Sequence, residues 1–272
     1  MTKTRFLVLR HWLLNNKNDV TASELIKFFF DNSYHNKAKK FVQNIQNADL
    51  DFAIRIEGLP QPMFYPKDAF SLHALEQVLV EQYYPSNWHY YEIPETSVKE
   101  DDVVVDCGAA EGLFSLKACY RCKAVYAIEP LPNFVRALRR TFEPFPNVHV
   151  LPVAVSDHAG EGFIENRGIS SSLSDGEGFR VQVDTLDNLF FERLPKITYI
   201  KADLEGVDYN ALKGAENLIR HYSPKIAITT YHRPEDAAMM IDWIRSTNPN
   251  YKFRRKGIYQ ETGCPMMLHA WV

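Results

Sequence analysis

VVVDCGAAEG, residues 103–112, is the stretch that decides the fold class of this chain. A short apolar run is followed at once by a turn that contains two glycines, which is typical of a buried strand leading into a helix. Gly108 allows the sharp turn and lets the backbone approach a ligand closely. Gly112 lets the start of the helix lie against the strand or the ligand. The stretch therefore predicts the first strand, turn and helix of a nucleotide-binding α/β fold.

Short apolar runs alternate with helical segments from residue 102 to the end of the chain. This alternation predicts a mostly parallel sheet with helices on both faces and right-handed crossovers. The strands predicted after the first are 125–129, 148–155, 199–203, 225–231, 251–255 and 266–271. A short link containing glycine joins the last two, which predicts an antiparallel hairpin. Two further strands, FIEN and FRVQV, flank a Gly- and Ser-rich stretch that includes residues 166–172, a candidate loop for closing over the site.

The first 95 residues lack the alternation of strands and helices. We predict a mainly helical N-terminal extension over 1–95, which helps to shape an acceptor pocket, and a cofactor-binding domain over 96–272. Helices are expected at 36–46 and 71–83. The three prolines of 58–70 predict irregular or hairpin structure there.

Composition restricts the class of protein. The chain has 272 residues, 46% of them hydrophobic, and can bury a large core. A net charge of −3 and a pI near 6.3 disfavour nucleic acid as a partner. No apolar run reaches the roughly 18 residues of a membrane span. The N-terminal segment lacks the uninterrupted apolar stretch of a signal peptide, and four cysteines are few for a disulfide scaffold. We therefore expect a cytoplasmic protein.

The glycine turn carries acidic residues, which bears on the ligand. Asp106 precedes the turn and Glu111 lies within it, and the dinucleotide pattern Gly-x-Gly-x-x-Gly is not met. Acid at a helix N-terminus does not suit a pyrophosphate, but it suits a ligand that carries an ammonium and a sulfonium group, such as S-adenosylmethionine (SAM). The residues expected to contact SAM at this turn are Asp106, Gly108, Ala109, Glu111 and Gly112.

Glu129 ends the second predicted strand, 21 positions after Gly108. In nucleotide-binding α/β domains the acid that binds the ribose lies about 20 residues beyond the glycine turn. A carboxylate there accepts hydrogen bonds from both ribose hydroxyls. Asn133 follows at the same edge of the sheet. The third strand end supplies the candidates for contact with adenine, which are Val155, Ser156 and Asp157.

The candidates for the chemistry lie at the ends of the fourth and fifth strands. Asp203 and Glu205 are two positions apart, so on a continued strand they face the same side. Three roles remain open for them: a base, ligands of a divalent cation (less favoured than the base), or partners of Lys201 and of the next helix. His232 has a side chain whose ordinary pKa suits a general base near neutrality. Its neighbours Tyr231 and Arg233 are candidates for binding the acceptor.

Several motifs resemble those of the FkbM-type methyltransferases. They are, in order, VVVDCGAAEG, AIEPLP, NVHVLPVAVSD, VQVDTLD, YIKADLEG and LKGAENLI, and the resemblance runs from about residue 100 to 232. It implies a Rossmann-like class I methyltransferase fold, SAM as methyl donor, and usually O-methylation of sugars or secondary metabolites, as in polysaccharide biosynthesis. Asp106, Gly108 and Glu129 then match the family's SAM-binding positions.

One departure from the family pattern leaves the catalytic group open. In many members the strand that matches KIAITT ends in a glutamate, whereas this chain continues Thr229-Thr-Tyr-His-Arg233. Two other functions stay open at this point. One is an NAD-dependent oxidoreductase on a related fold, disfavoured by the missing Gly-x-Gly-x-x-Gly. The other is a catalytically silent SAM-binding module. The sequence does not identify the acceptor.

Overall fold

A seven-stranded sheet forms the centre of the computed structural model, which describes residues 3–14, 17–31, 34–164, 173–174, 178–193 and 195–272. Its strands follow the order β13-β14-β12-β11-β4-β5-β6. The strands of the described residues are β1 (Val42–Ala48), β2 (Asp51–Ile56), β3 (Met63–Pro66), β4 (Val103–Cys107), β5 (Ala124–Ile128), β6 (Val148–Leu151), β7 (Ala154–Val155), β8 (Gly160–Ile164), β9 (Leu173–Ser174), β10 (Phe179–Asp184), β11 (Tyr199–Ala202), β12 (Lys225–Thr229), β13 (Lys252–Lys256) and β14 (Met267–Trp271).

Helices cover the faces of this sheet and form part of the N-terminal extension. In the same described residues they are α1 (Lys3–Leu13), α2 (Ala22–Phe29), α3 (Tyr34–Ala38), α4 (Leu72–Tyr83), α5 (Leu113–Ala118), α6 (Pro132–Phe142), α7 (Leu186–Phe190), α8 (Asp208–Lys213), α9 (Glu216–Tyr222) and α10 (Asp236–Thr247). None of these helices has both the length and the apolar character that crossing a membrane requires.

The topology of the large sheet confirms the predicted Rossmann-like class I architecture. All neighbouring strands run parallel except β14, which is antiparallel to both β12 and β13. The predicted C-terminal hairpin is therefore present. β4 and β11 lie side by side and are buried along their whole length, as expected for parallel strands covered on both faces. The strand order reverses between them, and ligands bind at such a point in open α/β sheets.

The strand predicted over 148–155 is divided in two. β6 pairs with β5 in the large sheet, whereas β7 joins a second sheet of order β7-β10-β8-β9. Pro152 stands between them and has no N–H to donate to a ladder, so the chain changes sheet there. The two strands predicted beside the Gly- and Ser-rich stretch pair antiparallel as β8 and β10. The loop 166–172 lies outside the described residues.

The N-terminal extension is mixed rather than mainly helical. The helix predicted over 36–46 is wrong beyond Ala38, because β1 begins at Val42 and pairs with β2 in a three-stranded antiparallel sheet that also contains β3. Buried side chains of this extension, such as Ile54, Tyr65 and Leu79, share one hydrophobic cluster with side chains of β4 and α6. The extension therefore packs directly on one face of the large sheet.

Candidate active site

The turn after β4 is built around two glycines with left-handed backbone, Gly108 (φ +72°) and Gly112 (φ +84°). The backbone N–H groups of Gly108 and Ala109 both donate to the carbonyl of Ile128, at 3.1 and 3.0 Å. A Cβ on Gly108 would lie 2.2 Å from the backbone oxygen of Asp203, and one on Gly112 would lie 2.5 Å from Cδ2 of Leu138. Gly108 therefore requires glycine on grounds of space as well as of φ, because its clash is with backbone, whereas at Gly112 the left-handed φ is the stronger reason.

A fully buried ion pair lies beneath this turn. Lys201 Nζ is 2.9 Å from Oδ1 of Asp106 and donates to the carbonyl of Gly108 at 2.8 Å, while Ser115 Oγ donates to Oδ2 of Asp106 at 2.6 Å. Burial lowers the pKa of Lys201, but the carboxylates of Asp106 and Asp203 outweigh it and raise that pKa above its ordinary value. Asp106 and Lys201 thus hold the turn against β11. Asp106 itself does not line the cavity described below.

Glu111 and Glu129 are both buried at the start of the cofactor region. Glu129 accepts a backbone hydrogen bond at each oxygen, from Leu131 at 2.9 Å and from Ala110 at 3.0 Å. Burial raises the pKa of each of these two carboxyl groups to about 7. Any positive charge brought next to them would favour their ionised forms.

A cavity of about 130 Å³ lies between the glycine turn and the ends of β11 and β12. Five of the residues predicted for the site line it: Gly108, Ala109, Glu111, Asp203 and Glu205. Tyr231, a predicted acceptor residue, also lines the cavity. α4 and the segment after it close the other side. The structure thus brings the turn of β4 and the end of β11 to one enclosed space.

The other residues predicted to bind the cofactor lie at neighbouring strand ends, outside this cavity. Asn133 donates to Oδ1 of Asp68 at 3.2 Å, which ties α6 to the N-terminal extension. Val155 and Ser156 are buried. Asp157 accepts hydrogen bonds from Lys213 and His158, which lower its pKa to about 2.

Asp203 stands at the centre of the polar side chains around the cavity. Tyr91 donates its hydroxyl to Oδ2 at 2.6 Å, and the hydroxyl oxygen of Thr229 lies 3.2 Å from Oδ1. Burial raises the pKa of Asp203, but the electrostatic effects of His89 and Lys201 and the hydrogen bond from Tyr91 outweigh it, so that the net shift of this pKa is downward. Asp203 is therefore a carboxylate near neutral pH.

His232 lies between two carboxylates. Its Nε2 is 3.3 Å from Glu205 and its Nδ1 is 3.2 Å from Asp208. Burial lowers the pKa of His232, but the two carboxylates outweigh it and raise that pKa to about 10. This pKa lies above the near-neutral value expected from the residue type, because Asp208 lies beside the ring and the sequence does not reveal that contact. Arg233, the other predicted acceptor residue, is exposed.

The N-terminal extension adds two titratable side chains that the sequence analysis missed. His89 is only 5% exposed, with Nε2 3.7 Å from Oδ2 of Asp203 and Nδ1 3.4 Å from Oε2 of Glu81. Burial raises the pKa of Glu81. The aromatic residues Trp88, Tyr90 and Tyr91 next to His89 in the sequence are a signal that this segment packs on the domain.

Comparison with known proteins places the chain in a family. The sequence profile described as "Methyltransferase FkbM domain" matches residues 106–254, just over half of the chain. No curated protein matches it. Among solved structures, a methyltransferase FkbM from Methylobacillus flagellatus KT is 19% identical, with a TM-score of 0.49. The match covers 74% of this chain and 56% of that one, so this chain spans little more than half of that protein's length.

Two further solved structures are similar at lower identity. A precorrin-6y C5,15-methyltransferase from Geobacter metallireducens GS-15 is 12% identical over 76% of this chain and 94% of its own, with a TM-score of 0.42. TYW2 from M. jannaschii, solved in complex with AdoMet, is 16% identical over 83% of this chain and 85% of its own, with a TM-score of 0.42. Since the family profile matches more than half of the residues, this chain belongs to the FkbM methyltransferase domain family.

Proposed function

We propose that this protein is a SAM-dependent O-methyltransferase that moves a methyl group to a hydroxyl of a sugar, a glycan or a secondary metabolite. The observation that carries the proposal is the position of the cavity. Its lining combines the glycine turn of β4 with the acidic end of β11 and His89. A methyltransferase needs two elements close together. One is a turn that holds the methyl donor, and the other is a set of polar groups that place the acceptor oxygen beside that donor.

The chemistry of the residues present fits SAM. Each oxygen of Glu129 accepts one backbone hydrogen bond, and a carboxylate oxygen has two lone pairs, so the group keeps acceptor capacity for the ribose hydroxyls. Gly108 and Glu111 would lie against the amino-acid end, where the ligand's positive charges favour an ionised Glu111. When bound, SAM supplies a methyl group on a sulfonium, which an oxygen nucleophile displaces in line.

The size of the cavity has a consequence for binding. Ligand pockets usually have volumes of about 300–1,000 Å³, whereas this cavity has about 130 Å³ and does not reach Glu129. The bound cofactor would therefore extend beyond this cavity, along the ends of the strands toward Glu129.

The acceptor hydroxyl must lose its proton as the new bond forms, and His89 is the proton acceptor that we propose. His89 lines the cavity, is buried, and has no hydrogen-bond partner on either ring nitrogen among the described residues. Asp203 and Glu81 flank its ring and would stabilise the imidazolium formed. The predicted catalytic residues Asp203 and Glu205 then orient the acceptor, and His232 holds Glu205 in place.

Calorimetry and isotope transfer test the proposal. We expect saturable binding of S-adenosylhomocysteine (SAH), the product of methyl transfer, and no saturable binding of NAD. Incubation with SAM carrying a trideuterated methyl group and a panel of sugars and natural-product alcohols should give a product heavier by one labelled methyl, attached to oxygen. Binding of NAD without binding of SAH would contradict the proposal. SAH binding without transfer to any member of the panel would support a catalytically silent SAM-binding module instead.

A further inference from the structure

We infer that Asp203, Glu205 and His232 form a binding site for a divalent cation of the Mn²⁺ class, which positions and acidifies the acceptor hydroxyl. Each of the three residues offers one ligand atom, and these atoms all lie within 4.8 Å of one another. The cation's role in acidifying the acceptor hydroxyl rests on the proposed function, whereas the binding of the cation to these three residues does not. The site lies at the ends of β11 and β12, beside the cavity that faces the glycine turn.

The donor set suits a metal ion, which would draw its three ligand atoms closer together than the 4.8 Å within which they now lie. Around an octahedral ion with bonds of about 2.1 Å, neighbouring ligand atoms are about 3 Å apart and opposite ones about 4.2 Å apart. Two carboxylates and one imidazole suit Mn²⁺, which accepts oxygen donors together with a nitrogen. Glu205 has left-handed backbone (φ +51°), and this unusual conformation turns its side chain toward His232.

Asp208 fixes the orientation of the histidine. It is fully buried, and three hydrogen bonds from Leu204, Gly206 and Thr229 hold its carboxylate. Its Oδ2 lies 3.2 Å from Nδ1 of His232. A histidine that binds a metal commonly directs its other ring N–H to a carboxylate in this way, which fixes the tautomer. Nε2 of His232 faces Glu205 and would give up its proton when the cation binds.

His89 supplies an independent observation. Its side chain is buried, with only 5% of the residue exposed. Neither of its ring nitrogens has a hydrogen-bond partner among the described residues, and Nε2 lies 3.7 Å from Oδ2 of Asp203. Buried polar groups in native proteins are almost always hydrogen-bonded, so an unpaired one requires an explanation. An acceptor hydroxyl held on the cation beside Asp203 would give His89 a hydrogen-bond partner.

Charge around the site also favours a cation. Asp203, Glu205, Asp208 and Glu81 bring four carboxyl groups to this end of the cavity, whereas Lys201 is already paired with Asp106. A divalent cation there would lower the pKa of a coordinated hydroxyl. The O–H bond would then break with transfer of the proton to His89. The oxygen would keep the electron pair that forms the new C–O bond, while the C–S bond of the donor breaks and SAH leaves with that bond's electron pair.

Titration of Mn²⁺ into the full chain, followed by electron paramagnetic resonance, tests the site directly. We expect loss of the signal of free Mn²⁺ at one equivalent per chain. His232→Gln and Glu205→Gln should each weaken this binding at least tenfold. The matched control is His221→Gln, because His221 is exposed and contacts Phe191 outside the site. Circular dichroism checks that each variant is folded.

SAH calorimetry on the same samples separates this inference from the proposed function. We expect stoichiometric Mn²⁺ binding in the wild type and loss of this binding in His232→Gln. The variant should retain the SAH affinity of the wild type. SAH binding without stoichiometric Mn²⁺ binding would overturn the cation site, and so would equal Mn²⁺ affinity in His232→Gln and His221→Gln. Mn²⁺ binding without SAH binding would uphold the cation site while contradicting the proposed function.

Discussion

A Cβ placed on Gly108 would lie 2.2 Å from the backbone oxygen of Asp203. The turn after β4 and the end of β11 are therefore in direct backbone contact. Because one element carries the cofactor turn and the other carries the acidic residues of the site, neither can shift without the other. This contact sets the distance between the groups that we propose to hold the donor and the acceptor.

Replacing Gly108 with Ala should destabilise the protein more than replacing Gly58. Both glycines have φ between +70° and +80°, but nothing lies within 4 Å of a Cβ at Gly58. Gly58→Ala should therefore cost only the left-handed backbone, about 1–2 kcal/mol. Gly108→Ala should cost about 1–3 kcal/mol more through overpacking. Unfolding in urea measures both, and equal losses of stability would show that the backbone contact is not rigid.

Removing the buried ammonium group of Lys201 should be strongly destabilising. Lys201→Met would leave the carboxylate of Asp106 buried with no compensating charge, which costs about 3–5 kcal/mol. The double variant Lys201→Met with Asp106→Asn should recover part of this loss, because no charge is then left unpaired. A double-mutant cycle by chemical denaturation gives the coupling, and additive effects of the two substitutions would contradict a direct ion pair.

Glu129→Ala should weaken SAH binding by roughly 10- to 100-fold, since hydrogen bonds to charged groups contribute about 1.5–3 kcal/mol each. The physical reason is the loss of the carboxylate that we propose for the ribose hydroxyls. Glu143→Ala is the control, because Glu143 is exposed at the end of α6. Calorimetry on both folded variants gives the affinities. Unchanged affinity in Glu129→Ala would remove Glu129 from the cofactor site.

Stability without cofactor should fall as the pH rises from about 5 to about 7. Glu111 and Glu129 have pKa values of about 7 in the folded protein, against an ordinary value of 4.5, because both are buried. Between these values the folded state keeps protons that the unfolded state has released, so the free energy of unfolding decreases with pH. Each group contributes at most about 1.4 kcal/mol per pH unit.

Glu111→Gln tests this dependence, because the amide does not titrate. Its free energy of unfolding should fall less steeply than that of the wild type between pH 5 and pH 7, whereas the exposed control Glu143→Gln should retain the wild-type slope. Denaturant unfolding at several pH values measures the slopes. The same slope in Glu111→Gln and the wild type would show that Glu111 is already ionised in the folded protein.

His89→Gln should lower kcat and leave SAH affinity near that of the wild type. A positioned general base contributes roughly 10²–10⁴-fold to rate, and glutamine fills a similar volume without accepting the proton. Steady-state kinetics with labelled SAM and the acceptor give kcat, calorimetry gives the SAH affinity, and His221→Gln serves again as the control. A fully active His89→Gln enzyme would exclude His89 as the base.

The N-terminal strand β1 shows why part of the fold could not be predicted from the sequence. In β1 the partly buried residues Val42, Ile45 and Ala48 recur every third position, a spacing typical of a helix. A bulge between Val42 and Asn44 shifts the pairing with β2, which accounts for the spacing between Val42 and Ile45. The local pattern therefore predicts a helix, and only the hydrogen bonds to the neighbouring strand make the segment extended.

By itself, the sequence determined the features that depend on short stretches of chain. These are the glycine turn at Gly108, the acid at Glu129 one strand later, and the pair Asp203 and Glu205 at a strand end. Periodicity and turn chemistry encode them, because strands, helices and tight turns form from residues close in sequence. The parallel sheet and its C-terminal hairpin follow from the same alternation.

Only the tertiary structure decided which side chains meet in the cavity. Tyr91 and Asp203 are 112 positions apart in the chain, yet they share a hydrogen bond of 2.6 Å. Asp208 converts His232 from the near-neutral histidine expected from its type into one with a raised pKa. Such contacts depend on which face of the sheet the N-terminal extension covers and on how adjacent strand ends align, and no local pattern of residues specifies either.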